Sequence, residues 1–277
     1  MSERSRRGQS VDVGLAAFYV VCIAVLAFIL LPLLTILFHS VGGSLSGRSL
    51  GSLTLAHYAG ALATNLDPLL LSLQVALLTT VVATLVGVPA GYTLVRYDFA
   101  FVDLLRELTV LPMAIPGIVV GIGIVRVWGV PRFGVDLAGS TALIACAHVL
   151  FTVPFIVQTT MSTLESIDYR RLEESARALG AGWVETFLYV VVPNIYRGVV
   201  AGAIMVFALS MGEFNITFFI YATGNATLPI ALFGGFRTAS VGQASALASL
   251  FVGIVVLSLV VFQMVSDQRI HETGGNA

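Results

Sequence analysis

Runs of apolar residues recur along this chain at lengths that span, or nearly span, the roughly 30 Å of a bilayer core at about 1.5 Å per helical residue. They lie near 14–38, 68–95, 107–128, 139–160, 197–221 and 241–265. The pattern predicts an all-α membrane domain over 14–265, with short tails at 1–13 and 266–277. The first run follows Arg4, Arg6 and Arg7 but is far longer than the core of a signal peptide, so a retained anchor helix is expected. Between the first two runs, residues 39–66 begin polar and glycine-rich and end in a stretch, 53–66, that suits a short interfacial helix. Asp67 followed by Pro68 reads as a cap and first-turn pair opening the second span. The third span carries Pro112 and Pro116, each of which removes a helix hydrogen bond, so it should be kinked or unwound. Irregular backbone survives at membrane depth only under protein or beside a wet cavity, which makes this span a candidate pore-lining element.

The one long polar connection, 161–196, does not read as a linker. Leu164, Ile167, Leu172, Ala176, Leu179 and Trp183 recur at helical spacing with charged residues between them. Ser166 or Asp168 can cap this helix, and Gly180 and Gly182 end it, Gly180 with positive φ if the turn is sharp. A second short helix, 184–192, is expected to run to Pro193.

Composition confirms the class: 57% of the 277 residues are hydrophobic and 10% charged, against about a quarter charged in soluble chains. Such a surplus of apolar surface needs lipid as a partner. Net charge is −1, which gives no indication of nucleic-acid binding. All 14 basic residues are arginine, so the chain has neither a phosphate-binding P-loop lysine nor a Schiff-base lysine. With the N-terminus inside, ten arginines fall on the cytoplasmic side and four (Arg48, Arg126, Arg132, Arg237) opposite, as the positive-inside rule requires. Both termini and the long loop are then expected in the cytoplasm. Cys22 and Cys146 lie in apolar runs and read as packing residues.

Within the spans, Glu213 stands out as an acid in an apolar run, with Ser210 and Thr217 at spacings that share a helix face. It falls about 24 Å beyond Arg197, toward the outer side, where Arg126 is a candidate pairing partner. Pro116, Arg126, Ser210, Glu213, Asn215 and Thr217 are therefore the candidates for a translocation pathway or gate, with interhelical pairing an equal reading for the acid. Gln74, His148 and Gln158 read as groups that satisfy neighbouring helices. His148 lacks a second ligand at metal spacing, and no metal site is expected.

The stretch Glu174-Ser175-Ala176, Gly180 and Val190-x-Val192-Pro193 resembles the signature loop of ABC importer permeases: Glu-Ala-Ala, three residues, Gly, nine residues, Ile-x-Leu-Pro. The spacing matches throughout, with Ser, Val and Val replacing Ala, Ile and Leu. Ile115-Pro116-Gly117, Met211-Gly212-Glu213-Phe214 and Thr227-Leu228-Pro229 extend the likeness toward the branch serving polyamines, phosphonates, ferric iron and oxyanions, closest to the spermidine/putrescine type. The resemblance implies a type I importer fold in a bacterial inner membrane. It implies a second permease subunit, related but different, a cytosolic ABC ATPase dimer that binds ATP and Mg, and an extracytoplasmic solute-binding protein. No cofactor is expected in this chain. Glu173, Glu174, Ser175, Ala176, Gly180, Ala181, Trp183 and Pro193 are the implied ATPase-coupling residues. The cargo implied is a polyamine or other small charged solute, with phosphonate, ferric iron, oxyanion or sugar as alternatives. A secondary transporter and an intramembrane enzyme are the competing classes, weakened by the lack of visible inverted halves and of a serine elbow.

Overall fold

A computed structural model describes residues 3–42, 53–130 and 137–274, and all its regular elements are helical. In order they are α1 (Glu3–Ser40), α2 (Ala56–Arg96), α3 (Val102–Ala114), α4 (Gly117–Trp128), α5 (Thr141–Glu165) and α6 (Tyr169–Ala178). Then come α7 (Trp183–Glu185), a π-helical turn (Thr186–Val191), α8 (Val192–Gly212), α9 (Thr217–Ile220), α10 (Leu228–Thr238) and α11 (Val241–Gly274). Among the described residues, five helices are long and apolar enough to cross a membrane, or six if the bent pair α3–α4 is one span. Of the sequence expectations, Arg48 and Arg132 lie outside the described residues.

Prolines account for several departures from the expected boundaries. The stretch α2 is non-helical at Asn65 (φ −121°, ψ 21°), so it consists of two helices, the expected interfacial one and the second span, with Asp67–Pro68 in the first turn of the second. Pro68 has no N–H to offer the carbonyl of Thr64, and the break falls at that gap. The third span is broken outright: α3 and α4 meet at 101° across Ile115 and Pro116. The second loop helix does not stop before Pro193 but continues into the fifth span as one helix, Trp183–Gly212. A π turn precedes the proline, with Val192 N–H donating to the Phe187 carbonyl, and Asn194 Nδ2 donates to the Val190 carbonyl at 2.7 Å. The wider turn and the asparagine accommodate a ring that lacks its own donor. The fifth span ends at Gly212, earlier than the expected 221.

The chain forms two compact units. In the unit of residues 1–64 and 235–251, Tyr58 joins three helices through its hydroxyl, 2.7 Å from Ser40 Oγ of α1 and accepting from Ser249 Oγ of α11 at 2.9 Å. The apolar side chains of α1 from Phe18 to Leu34 are mostly exposed within the chain, as suits a lipid-facing or partner-facing helix, while Ser40 at its end is buried.

The larger unit is built around α5. Two neighbouring helices approach it through glycines four residues apart, the small-residue spacing that lets membrane helices pack closely. On α2, a Cβ at Gly87 would lie 2.6 Å from Ile156 Cγ2, and one at Gly91 2.9 Å from the Val157 carbonyl. On α8, a Cβ at Gly198 would overlap Thr163 and one at Gly202 would overlap Thr159. Between them lies a core of Ala83, Val88, Tyr92, Ile156, Leu164, Phe187, Val191, Ile195 and Val206. Gly123 on α4 has nothing within 4 Å. Gly202→Val should therefore destabilise the folded chain by about 1–3 kcal/mol through overpacking, while Gly123→Ala leaves stability within about 0.5 kcal/mol. Thermal unfolding of the purified protein in detergent measures both.

Candidate functional site

Two polar centres stand near opposite ends of α5, and each gathers around a buried carboxylate. Seventeen residues of helix separate His148 from Glu165, or about 26 Å along the axis.

The first centre includes the helical loop. Asp168 caps α6, its carboxylate accepting from Arg171 N–H at 3.4 Å, and Ser166 instead ends α5. Gly180 closes α6 with φ +88°, while the Ala181 N–H reaches the Ala176 carbonyl (3.1 Å) and the Gly180 N–H the Arg177 carbonyl (2.9 Å). These two bonds form a Schellman cap, which requires a residue in the left-handed region at the position Gly180 occupies. After the turn, Glu185 Oε2 accepts the Gly182 N–H at 2.9 Å and starts the next helix. The turn therefore ends in a tightly specified corner whose apolar groups face outward: Leu179 is 90% exposed, and Trp183 and Val184 are also exposed.

The adjacent acids of α6 have different surroundings. Glu174 is exposed, as are Ser175, Gly180 and Pro193, whereas Glu173 is 1% exposed and Ala176 is buried. Glu173 accepts from Tyr92 Oη at 2.6 Å, from Arg96 Nε, and from Arg177 Nη2 at 3.1 Å. Arg177 thus pairs with Glu173, four residues before it on the same helix. Two carbonyls at the end of α2 are also capped: Arg106 of α3 donates to Leu94 (2.6 Å from Nη2), and Tyr169 of α6 donates to Val95 (3.3 Å). Helix C-termini leave such carbonyls without intrahelical partners.

The second centre lies where α8 breaks. Glu213 is not inside a helix as the sequence suggested; it caps α8 in an extended conformation (φ −71°, ψ 118°), and the chain resumes helix at Thr217. Its carboxylate accepts from the N–H groups of Ile216 (2.8 Å) and Thr217 (2.9 Å) and from the Thr217 hydroxyl (2.8 Å). His148 on α5 lies with Nε2 2.8 Å from Thr217 Oγ1 and Nδ1 2.8 Å from Ser210 Oγ. With Glu213 ionised, the Thr217 hydroxyl donates to it and accepts from His148 Nε2–H. Nδ1 of the neutral ring then accepts from Ser210. Ser210, Glu213 and Thr217 do converge, but on a histidine across a helix break rather than along one helix face. Their common partner is His148, read from sequence as a group satisfying a neighbour. Arg126, the expected partner of Glu213, is exposed on α4 and takes no part in the cluster.

The broken third span packs directly on this break. A Cβ on Gly117, just after Pro116, would lie 3.2 Å from Asn215 Cβ, and one on Gly121 3.1 Å from the Ile216 carbonyl. Pro116 and Asn215 themselves are exposed at the edge of this contact. Two interrupted spans thus meet through glycines four apart, with one buried acid supplying acceptors for the interrupted backbone. No group of His, Cys, Asp or Glu capable of holding a metal ion occurs among the described residues. At the same end, Asn225 Oδ1 accepts from Ala222 N–H (2.6 Å) and its Nδ2 donates to the Gly139 carbonyl (2.7 Å). Leu228 N–H donates to the buried Ser72 hydroxyl of α2 at 2.7 Å.

Together these features define a multi-span helical membrane protein with interrupted spans and a structured helical loop. The family model described as "Binding-protein-dependent transport system inner membrane component" matches residues 83–272, and the chain belongs to that family of ABC importer permeases. It is 31% identical over 217 residues to a probable molybdenum ABC transporter permease protein of Haloferax volcanii, covering 75% of this chain and 80% of that one. Over 257 residues it is 26% identical to the spermidine/putrescine transport system permease protein of Escherichia coli, covering 91% and 94% respectively. The fold is similar to a chain in the crystal structure of a bacterial ABC transporter involved in import of the acidic polysaccharide alginate. That likeness has a TM-score of 0.63 at 16% identity and covers 97% of this chain and 98% of the other.

Replacing Glu213 with alanine should leave the Ile216 and Thr217 amides buried without partners and destabilise the fold by about 1–3 kcal/mol. Arg126→Gln should change stability by less than about 0.5 kcal/mol. Chemical or thermal unfolding of the two variants distinguishes this cluster from an Arg126–Glu213 pair, which would make both changes costly.

Proposed function

We propose that this permease forms half of the translocation pathway of an ATP-driven importer and receives its drive from a separate cytosolic ATPase docked on α6 and the turn after it. The observation that carries the reading is the corner at Gly180. A short capped helix ends in a positive-φ glycine and presents Glu174, Leu179 and Trp183 outward, in the stretch that matches the family's signature loop. A rigid helix of this kind converts nucleotide-driven closure of a partner into rigid-body motion of the spans it joins. Glu174 supplies a charge for a basic group on the ATPase, and the exposed apolar side chains supply contact area. ATP and Mg belong to that partner, in keeping with the lack of lysine in this chain.

The loop then lies in the cytoplasm with both termini, as the arginine distribution favours. A second, related permease completes the pathway, and an external binding protein delivers the solute. The cargo is a small charged solute. Relatives named for molybdenum and for spermidine/putrescine carry opposite charges, and Glu213, already occupied by backbone donors, does not favour a cation over an anion. The interrupted spans around Pro116 and Asn215 form part of the pathway or its gate.

Gly180→Trp combined with Glu174→Arg should reduce recovery of the ATPase with the permease about tenfold or more, equivalent to about 1.4 kcal/mol of docking energy. The spans should still insert. Affinity purification from membranes in mild detergent measures this, and undiminished recovery of the ATPase would contradict the docking assignment. Cargo is tested by ATP-driven uptake of spermidine and of molybdate into proteoliposomes, each supplied with the importer's own binding protein.

A further inference from the structure

We infer that Glu173 acts inside the permease, as the joint that makes α6 and the loop end of α2 move as one body, while its neighbour Glu174 faces the partner. This rests on the docking reading above and adds to it the route by which motion leaves the docked helix. A buried carboxylate held by three donors from two elements is a stiff connection. Tyr92 and Arg96 come from the last two turns of α2, and Arg177 comes from α6 itself. Removing one member of such a set leaves a charge or a hydroxyl buried without its partner, so the arrangement resists partial opening.

Other contacts point the same way. Tyr169, at the opposite end of α6 from Gly180, donates to the Val95 carbonyl, so α6 touches α2 at two points along its length. Tyr92 packs its ring 4.9 Å from Phe187 in the π turn, which Trp183 stacks upon at 6.0 Å. The chain on both sides of the Gly180 corner is therefore anchored to the same residue of α2. Arg106 carries the connection onward, since it grips the Leu94 carbonyl from the first turns of α3. From α3 the chain leads to the 101° break at Pro116 and the packed Gly117–Asn215 contact. Movement of α6 thus reaches the broken third span through the end of α2 as well as along the backbone of α5 and α8. Tyr92, Arg96 and Glu173 are positioning residues in this scheme, and none of them touches the solute or the ATPase.

The test uses the assembled importer in lipid nanodiscs, with spin labels at two exposed positions, Asp98 just past α2 and Ala178 on α6. Magnesium ATP with vanadate is the probe. In the otherwise unmodified complex, the distance between labels should stay the same on nucleotide trapping. In Glu173→Gln and in Arg96→Leu, it should lengthen or broaden on trapping while the ATPase remains bound. The double variant should behave like either single one, because both remove the same connection. A distance that changes in the unmodified complex overturns the joint, as does an unmodified response in both single variants. Loss of the ATPase from Glu173→Gln also overturns it, because that result marks a docking residue. If Glu173→Gln fails to insert, Tyr92→Phe removes a single hydrogen bond and the same readout decides. An ATPase that stays bound to the Gly180→Trp, Glu174→Arg protein would instead defeat the docking reading, independently of the label distances.

Discussion

Hydrocarbon offers no hydrogen-bond partner to a backbone amide or a carboxylate, and every irregularity in this chain has to supply its own. The break between α8 and α9 exposes amides that a continuous helix would have satisfied, and Glu213 folds back to accept two of them. The carboxylate also accepts from the Thr217 hydroxyl, which connects in turn to His148, and His148 to Ser210. At the loop end of α2, Arg106 and Tyr169 likewise cap the Leu94 and Val95 carbonyls that the helix leaves open. The π turn before Pro193 accommodates the missing proline N–H by its wider turn, with Asn194 donating to the Val190 carbonyl.

Close packing sets which parts can move independently. Gly87 and Gly91 press α2 onto α5, and Gly198 and Gly202 press α8 onto the same helix, at separations that leave no room for a methyl group. Helices in such contact slide only by overlapping their neighbours' atoms, so residues 65–96 of α2 are tightly joined to α5 and α8. The loop helix α6 is fastened to one end of this group and the interrupted α3–α4 and α8–α9 segments lie toward the other. This arrangement suits a subunit that takes up force at one face and reshapes a passage near the opposite one.

Much of this was legible in the sequence where local chemistry decides. Span lengths, the disruption at Pro116 and the positive φ of Gly180 follow from apolar runs, a missing N–H and a missing Cβ. The helix break after Gly212 was hidden because the apolar run continues through Phe214, Ile216, Phe218 and Phe219 with no proline to mark it. Glu213 consequently looked like a mid-helix acid in search of an arginine. Glu173 and Glu174 are adjacent on a helix and point about 100° apart; only the tertiary positions of Tyr92 and Arg96 separate a buried group from an exposed one. The three pairs of glycines four residues apart, at 87/91, 117/121 and 198/202, were visible signals of close packing. Their partners, supplied by α5 and the 213–219 segment, were not.

The corner at the end of α6 is the proposed surface that meets an ATPase. Leu179, 90% exposed at that corner, is the direct place to ask. A photoreactive residue at this position, irradiated in membranes that contain the whole importer, should yield one adduct with the combined mass of the permease and an ATPase subunit. Peptides bearing that subunit's nucleotide-binding loop should be recovered from the adduct. An adduct with the external binding protein, or labelling of lipid alone, would place the corner elsewhere and contradict its docking role.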